Sequence, residues 1–442
     1  MTPQAHFMIL APIVPARVAA LRQSLAAMNE APGRVKPDNP LLPFARFDTL
    51  HVARLLILDD RTGNDLKLHG VTPPAYPLYF ALLGDIDGDE DSFLDALARH
   101  AHDGLRVLFA CCEGFTPDTD LLGWMRQHRT RPLANYVNCR GRTVRRVREE
   151  AALRDALEDY LTRHTSTLET LTPREIHAQL VAFVKVETSI SRLVLSAEEA
   201  TPLGWWLKNT LHLIGIPVLL ALLLPLLIVI APFYLLRLRQ LETTDAEFCP
   251  SVDQAYSDSL ALGEDQDVTN QFSAMGSLKP GLLRLLTTLG VLLTVDYAAR
   301  HLVRPGRLGR IRSILFARWV FIGSAKPWAL VKTARRAAFF SNYDGSVESY
   351  MDDFINKAGF GLNASFSNAI GYPRTNWLVL DGCADEGKYK EYLRRHTLPT
   401  QVWYKAYPGL TAIDLERNTR IRRGLESVSM SDQAVREWLA LL

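Results

Sequence analysis

The chain states one pattern twice. Asp87-Gly88-x-x-x-Ser92-Phe93-Leu94-Asp95 recurs as Asp344-Gly345-x-x-x-Ser349-Tyr350-Met351-Asp352, 257 residues later. The same offset carries Gly104, Leu105, Phe109, Gly114 and Phe115 onto Gly361, Leu362, Phe366, Gly371 and Tyr372. Upstream, His51-Val-Ala53-Arg54 answers Leu315-Phe-Ala317-Arg318. Downstream, His128, Tyr136, Gly141 and Thr143 answer His396, Tyr404, Gly409 and Thr411 at an offset of 268. Ordered matches of this kind mark an internal duplication, and 442 residues are enough to bury two cores.

Composition narrows the classes. A hydrophobic fraction of 48% is ordinary for a globular protein, so any membrane part is local. The net charge of +2 gives no footprint for nucleic acid, which is not expected as a partner. The five cysteines, at 111, 112, 139, 249 and 383, form no disulfide framework and no C-x-x-C pair, against structural zinc or covalently attached haem. No secretory signal pattern opens the sequence, so reduced cytosol is the expected compartment.

Within the first copy, His6–Val14 reads as a strand and Ala16–Met28 as a helix opened by Pro15. Leu50–Leu58 and Tyr76–Ile86 read as strands. Asp89, Glu90 and Asp91 place acid at the start of a helix carrying Phe93, Leu94 and Leu97. Leu105–Cys112 then reads as a fourth strand, giving β-α-β-β-α-β, followed by a helix (Asp120–Arg129), a strand (Leu133–Cys139) and a charged helix (Val144–Thr162). The second copy repeats the order through Phe272–Leu278, a helix over Gly281–Leu302, and strands near Ser313–Ile322, Ala337–Tyr343 and Asn363–Ile370. The repeat assigns the apolar run Leu285–Val295 to a core helix, since 11 residues are too few to span a bilayer. The fold expected is α+β: two tandem ferredoxin-like repeats, over 1–165 and 266–442, joined by a helical linker over 166–265. Thr172-Pro-Arg-Glu175 has the spacing of a capping box that opens a linker helix.

The linker holds an inserted hydrophobic membrane segment, 204–240. From Leu213 to Leu236 no residue is charged, a run of 24 that is long enough to cross a bilayer. Trp205, Trp206 and Lys208 precede it, and Tyr234, Arg237 and Arg239 close it, as the interface favours. A single crossing would separate two repeats that pack together; Pro217, Pro225 and Pro232 offer bends for a re-entrant hairpin, and the sequence leaves a spanning and a re-entrant segment both open. Both globular domains then lie on the cytosolic side of the cytoplasmic membrane. Arg300, Arg304, Arg307, Arg310 and Arg312 suit anionic headgroups there.

Two such repeats, each with an extra helix and strand, resemble the dimeric α/β-barrel superfamily of dye-decolourising peroxidases and chlorite dismutases. Phe340-Ser-Asn-Tyr-Asp-Gly-Ser346 also looks like an uncharacterised group of bacterial membrane-associated proteins. The first resemblance implies haem against one sheet. It makes Gly84-Asp-Ile-Asp87-Gly88 a formal match to the peroxidases' Gly-x-x-Asp-Gly motif, although Ser341 replaces the first glycine in the second copy.

Polar residues at matched places in apolar strands are the candidate chemistry: Arg54/Arg318, Asp85/Asn342 and Cys111/Asn368. A buried Arg or Asn needs partners, in a pocket or in a structural network. Arg318, Asn342 and Asp344 would form a catalytic polar pocket lined by Ser341, Tyr343, Asn368, Tyr404 and Tyr407, with His396 or His301 as the haem ligand. His396, near a helix end and mirrored by His128, suits a helix-terminus role better than iron ligation. No H-E-x-x-H, G-x-S-x-G or phosphate loop appears, and the acidic run at 85–91 is explained by a helix start better than by calcium. Two functions follow. One is a membrane-associated redox enzyme, haem-dependent and peroxidase-like as the resemblance implies, acting on a lipid-like or other hydrophobic small molecule, with a homo-oligomer or partner redox protein in view. The other is a non-catalytic lipid-binding or partner-docking membrane protein without cofactor.

Overall fold

Two four-stranded antiparallel sheets face each other, and each takes one edge strand from the other half of the chain. The computed structural model describes residues 1–303, 307–323, 335–427 and 429–442. The first half contains β1 (Gln4–Pro12), α1 (Val18–Ala27), β2 (Leu50–Leu58), β3 (Tyr79–Asp87), α2 (Glu90–His100), α3 (His102–Phe109), α4 (Leu121–Gln127), β4 (Ala134–Val137) and α5 (Val144–Arg163). The linker helices α6 (Pro173–Ser189) and α7 (Leu203–Thr244) follow. The second half contains β5 (Thr269–Ser277), α8 (Leu282–Tyr297), β6 (Ile314–Ile322), β7 (Arg336–Asp344), α9 (Val347–Phe366), α10 (Glu386–His396), β8 (Val402–Lys405), α11 (Ala412–Glu426) and α12 (Asp432–Leu439). The sheet orders are β1-β3-β2-β8 and β4-β6-β7-β5.

The exchange is reciprocal. Tyr136 of β4 lies opposite Ala317, and its repeat partner Tyr404 of β8 lies opposite Ala53. The halves bounded at 165 and 266 are therefore not self-contained. After each exchanged strand the chain is pulled home by the duplicated Asp-Gly: Asp87 accepts the Val144 N–H at the start of α5 (2.8 Å), and Asp344 accepts the Ala412 N–H at the start of α11 (2.6 Å). Gly88 and Gly345 follow with φ of 88° and 85°, which their lack of a Cβ permits.

Every residue of β2 is buried because both faces of its sheet are covered. Leu55 and Ile57 pack under the helices of the first half. Leu56 and Leu58 meet Val320, Ala338 and Phe340 between the sheets. The expected strands at Leu105–Cys112 and Asn363–Ile370 are instead α3 and the end of α9. Leu105, Leu108 and Phe109 recur at helical spacing and are fully buried, and a short apolar run does not itself distinguish the two states. Among the described residues the free edge of β1 receives an isolated bridge from Ile9 to Arg129, and Ile13, just past it, bridges Cys112. The linker's capping box forms, with Thr172 N–H donating to Glu175 at 2.7 Å.

Among the described residues two helices, α7 and the stretch Leu282–Leu302, are long and apolar enough to cross a membrane. α7 is one continuous helix of 42 residues through all three prolines, so the expected hairpin is not formed. The most apolar window of α7 is uncovered by the rest of the chain. Both of its ends are tied down. His212 Nδ1 meets His301 Nε2 at 2.9 Å and Tyr297 donates to the Leu213 carbonyl, while Glu242 accepts from Thr375 Oγ1 and from the N–H groups of Trp377 and Leu378. α8 divides its surface: Leu285, Thr288 and Leu292 are buried, whereas Leu282, Leu286 and Leu293 are exposed. The core helix read from the repeat is therefore only half a core helix. In the basic cluster, Arg300 pairs with Asp296 and Arg312 with Glu416, Arg307 and Arg310 are exposed, and Arg304 lies outside the described residues.

Candidate functional site

The polar residues expected to form one pocket lie in several separate places. Arg318 reaches across from its sheet and donates to the carbonyls of Phe7 (3.2 Å) and Gly84 (3.1 Å), while pairing with Asp85. Arg54 makes the mirror-image reach, donating to the carbonyls of Phe272 and Ser341, both at 2.8 Å. The two guanidiniums are a reciprocal clamp between the sheets. Between them remains a void of about 10 Å³, too small to admit a substrate. Asn342 accepts the Phe316 N–H at 2.7 Å, beside a β-bulge. Asp344, four residues along β7 from the position paired with Arg318, is roughly 13 Å away and occupied by Thr269 and Ala412.

The lining residues are equally dispersed. Ser341 Oγ and Tyr350 OH are 2.5 Å apart on the helix side of the sheet, where Tyr343 stacks on Tyr350 at 4.1 Å. Asn368 accepts from Arg284 in a buried cluster with Asp245 and Lys279. Tyr404 stacks on Phe44 at 4.9 Å. Tyr407 closes a buried chain in which His51 contacts both the Tyr407 hydroxyl (3.0 Å) and Asp87 (2.9 Å).

Haem does not fit these residues. His396 places Nδ1 2.8 Å from the Tyr392 carbonyl and packs on the Tyr392 ring, just as His128 does with Trp124. Its Nε2, 3.9 Å from Asp65, borders a chamber of only about 30 Å³, far below a macrocycle's volume. A Cβ on Gly276 would already press on its ring. His301 lies elsewhere, against His212 and Tyr297. Burial lowers the His396 pKa to about 4, so it is neutral in the folded protein. Unfolded His protonates near 6.5, so stability falls as pH drops from about 6.5 to about 4, by on the order of 3 kcal/mol. His396→Leu is expected to remove that share of the acid limb, measured by urea unfolding at pH 4.5 and 7.5. Asp344, raised to about 6 by burial, acts with the opposite sign in both proteins and leaves the difference to His396.

A large apolar recess lies elsewhere. A groove of about 940 Å³ runs between α8 and α9 beside the end of α7, within the size range of small-molecule sites. Leu286, Gly290 and Val291 form one wall; Phe360, Gly361 and Ala364 form the other. Tyr234 of α7 stands at its side, its hydroxyl 2.7 Å from Thr287 Oγ1. Phe360 is 67% exposed and Leu286 56%, so the mouth is as apolar as the walls. The sequence presents these residues separately, Leu286, Gly290 and Val291 within the expected core helix, Gly361 as a repeat match and Tyr234 at the membrane interface, and nothing in it joins them into one site. Comparison of the chain with family models, curated proteins and solved structures returns no match.

Proposed function

We propose that this is a membrane-attached, lipid-binding protein that holds the bilayer from one side. The observation that carries this reading is α7, apolar all round, uncovered, and joined at both ends to the same sheet through β4 and β5. A complete crossing would put those two edge strands on opposite sides of the membrane. The same reasoning applies to α8, which connects β5 to β6. An uncovered apolar surface of this length needs lipid around it, so α7 and the outer face of α8 lie within one leaflet. The paired sheets are then two tandem ferredoxin-like units, each lacking its own last strand, that act as the rigid base. Exposed Arg307, Arg310 and Lys208 suit an anionic cytosolic surface, which supports the cytosol as the side on which both units lie.

The test uses native Cys249, exposed just past α7, and a second reporter, Glu198→Cys, just before it. The protein is expected to float with phospholipid vesicles. In sealed vesicles a membrane-impermeant maleimide should label both positions from the same face. Labelling from opposite faces would show a true crossing, and failure to float would remove the membrane reading altogether.

A further inference from the structure

We propose that the groove between α8 and α9 is a binding site for the acyl chain of a bilayer phospholipid, entering from the leaflet in which α7 lies. The inference rests on the membrane attachment above and names the ligand. Its first support is the duplication. Gly104 and Gly361 occupy the same place in the two copies. Over Gly104 lies the backbone of Leu41, and Leu42 and Phe44 continue that cover into the core. Over Gly361 a Cβ would meet nothing within 4 Å. The first copy seals this face with its own chain; in the second, none of the described residues covers it beside α7.

The open face has a definite origin. Nearly the same number of residues separates Pro15 from Arg54 and Pro280 from Arg318. The first copy uses 10 of them for α1 and most of those between α1 and β2 for the covering segment. The second copy extends its helix to 16 residues, and the described chain beyond it packs at Ala358, where Gly309 sits, short of Gly361.

The second support is the pair of glycines. Gly290 and Gly361 both lie inside helices, and at both a Cβ would meet nothing. Alanine there would favour the helix by about 1 kcal/mol. Two glycines facing each other across a groove keep it wide at a cost to the helices, which suits an occupant of that space. The occupant's chemistry follows from the walls, which are apolar apart from threonine hydroxyls and Tyr234, and from their continuity with uncovered α7.

The experiment uses full-length protein in vesicles of phosphatidylethanolamine and phosphatidylglycerol, with a trace of phosphatidylcholine bearing a diazirine midway along one acyl chain. After photolysis, labelled residues are mapped by mass spectrometry. Label is expected on Val291 and Ala364 as well as on α7 residues such as Leu220 and Leu224. In the double variant Gly290→Leu/Gly361→Leu, groove label should fall at least tenfold with α7 label unchanged. Each single variant, whose side chain enters open space, should lose an intermediate share and decides the matter if the double variant fails to fold. Unlabelled groove residues in wild type beside labelled α7, or unchanged groove label in folded variants, would overturn the site. Loss of label from α7 as well would instead overturn the membrane attachment on which the site depends.

Discussion

Replacing Arg318 with methionine is expected to destabilise the fold by about 3–5 kcal/mol, as removal of one partner of a buried ion pair does. Methionine fills much of the volume but leaves the carbonyls of Phe7 and Gly84 without their donor. It also leaves Asp85 with no direct cation. Burial already pushes that carboxyl above its ordinary range, with Arg318 and Arg54 opposing the shift. Arg54→Met should cost less, about 2–3 kcal/mol, because its partners are two carbonyls and the Ser273 hydroxyl, all neutral. Adding Asp85→Asn to Arg318→Met should recover part of the loss, since the second copy already carries Asn342 at that place. Chemical denaturation in detergent measures all three. Equal costs for the two arginines would show that Asp85 is not the source of the difference.

The duplication made most of this fold legible. Leu50–Leu58 falls as a strand where its composition puts it, and the matched arginines announce a matched role. What the repeat could not reveal was which sheet an element joins. Tyr136 and Tyr404 alternate like any strand residues, and nothing local distinguishes pairing within a half from pairing across halves. The change of offset from 257 to 268 between Tyr372 and His396 marks the segment that anchors the end of α7. That extra length contains the small hairpin of Thr375–Asn376 and Leu380–Asp381, whose backbone receives Glu242 from the end of α7. The polar pocket failed as a reading because Arg318 and Asn342 face the opposite sheet while Ser341 and Tyr343 face the helices, so strand alternation itself keeps them apart. The groove was illegible for a different reason: it consists of what is missing above Gly361.

The largest effect is expected from cutting the chain between Ala200 and Thr201. Residues 1–200 and 201–442, expressed separately, should each fail to give a folded monomer. The first piece lacks β8, so β2, buried along its whole length in the intact chain, is left as an exposed edge, and the cluster built on Val402, Trp403 and Tyr404 loses its floor. The second lacks β4, with Ala134 and Tyr136 missing from its core. Each also loses the arginine that serves its carbonyls from the opposite sheet. Co-expressed, the pieces should assemble into a 1:1 complex that co-purifies through a tag on either one, because each interface that defines the fold joins residues from both. Circular dichroism and size-exclusion chromatography read the outcome. A folded monomer from either piece alone would contradict the reciprocal exchange. It would also free α7 to cross the bilayer, since a half that stands alone need not share a side with the other; the one-sided attachment and the strand exchange therefore stand on the same measurement.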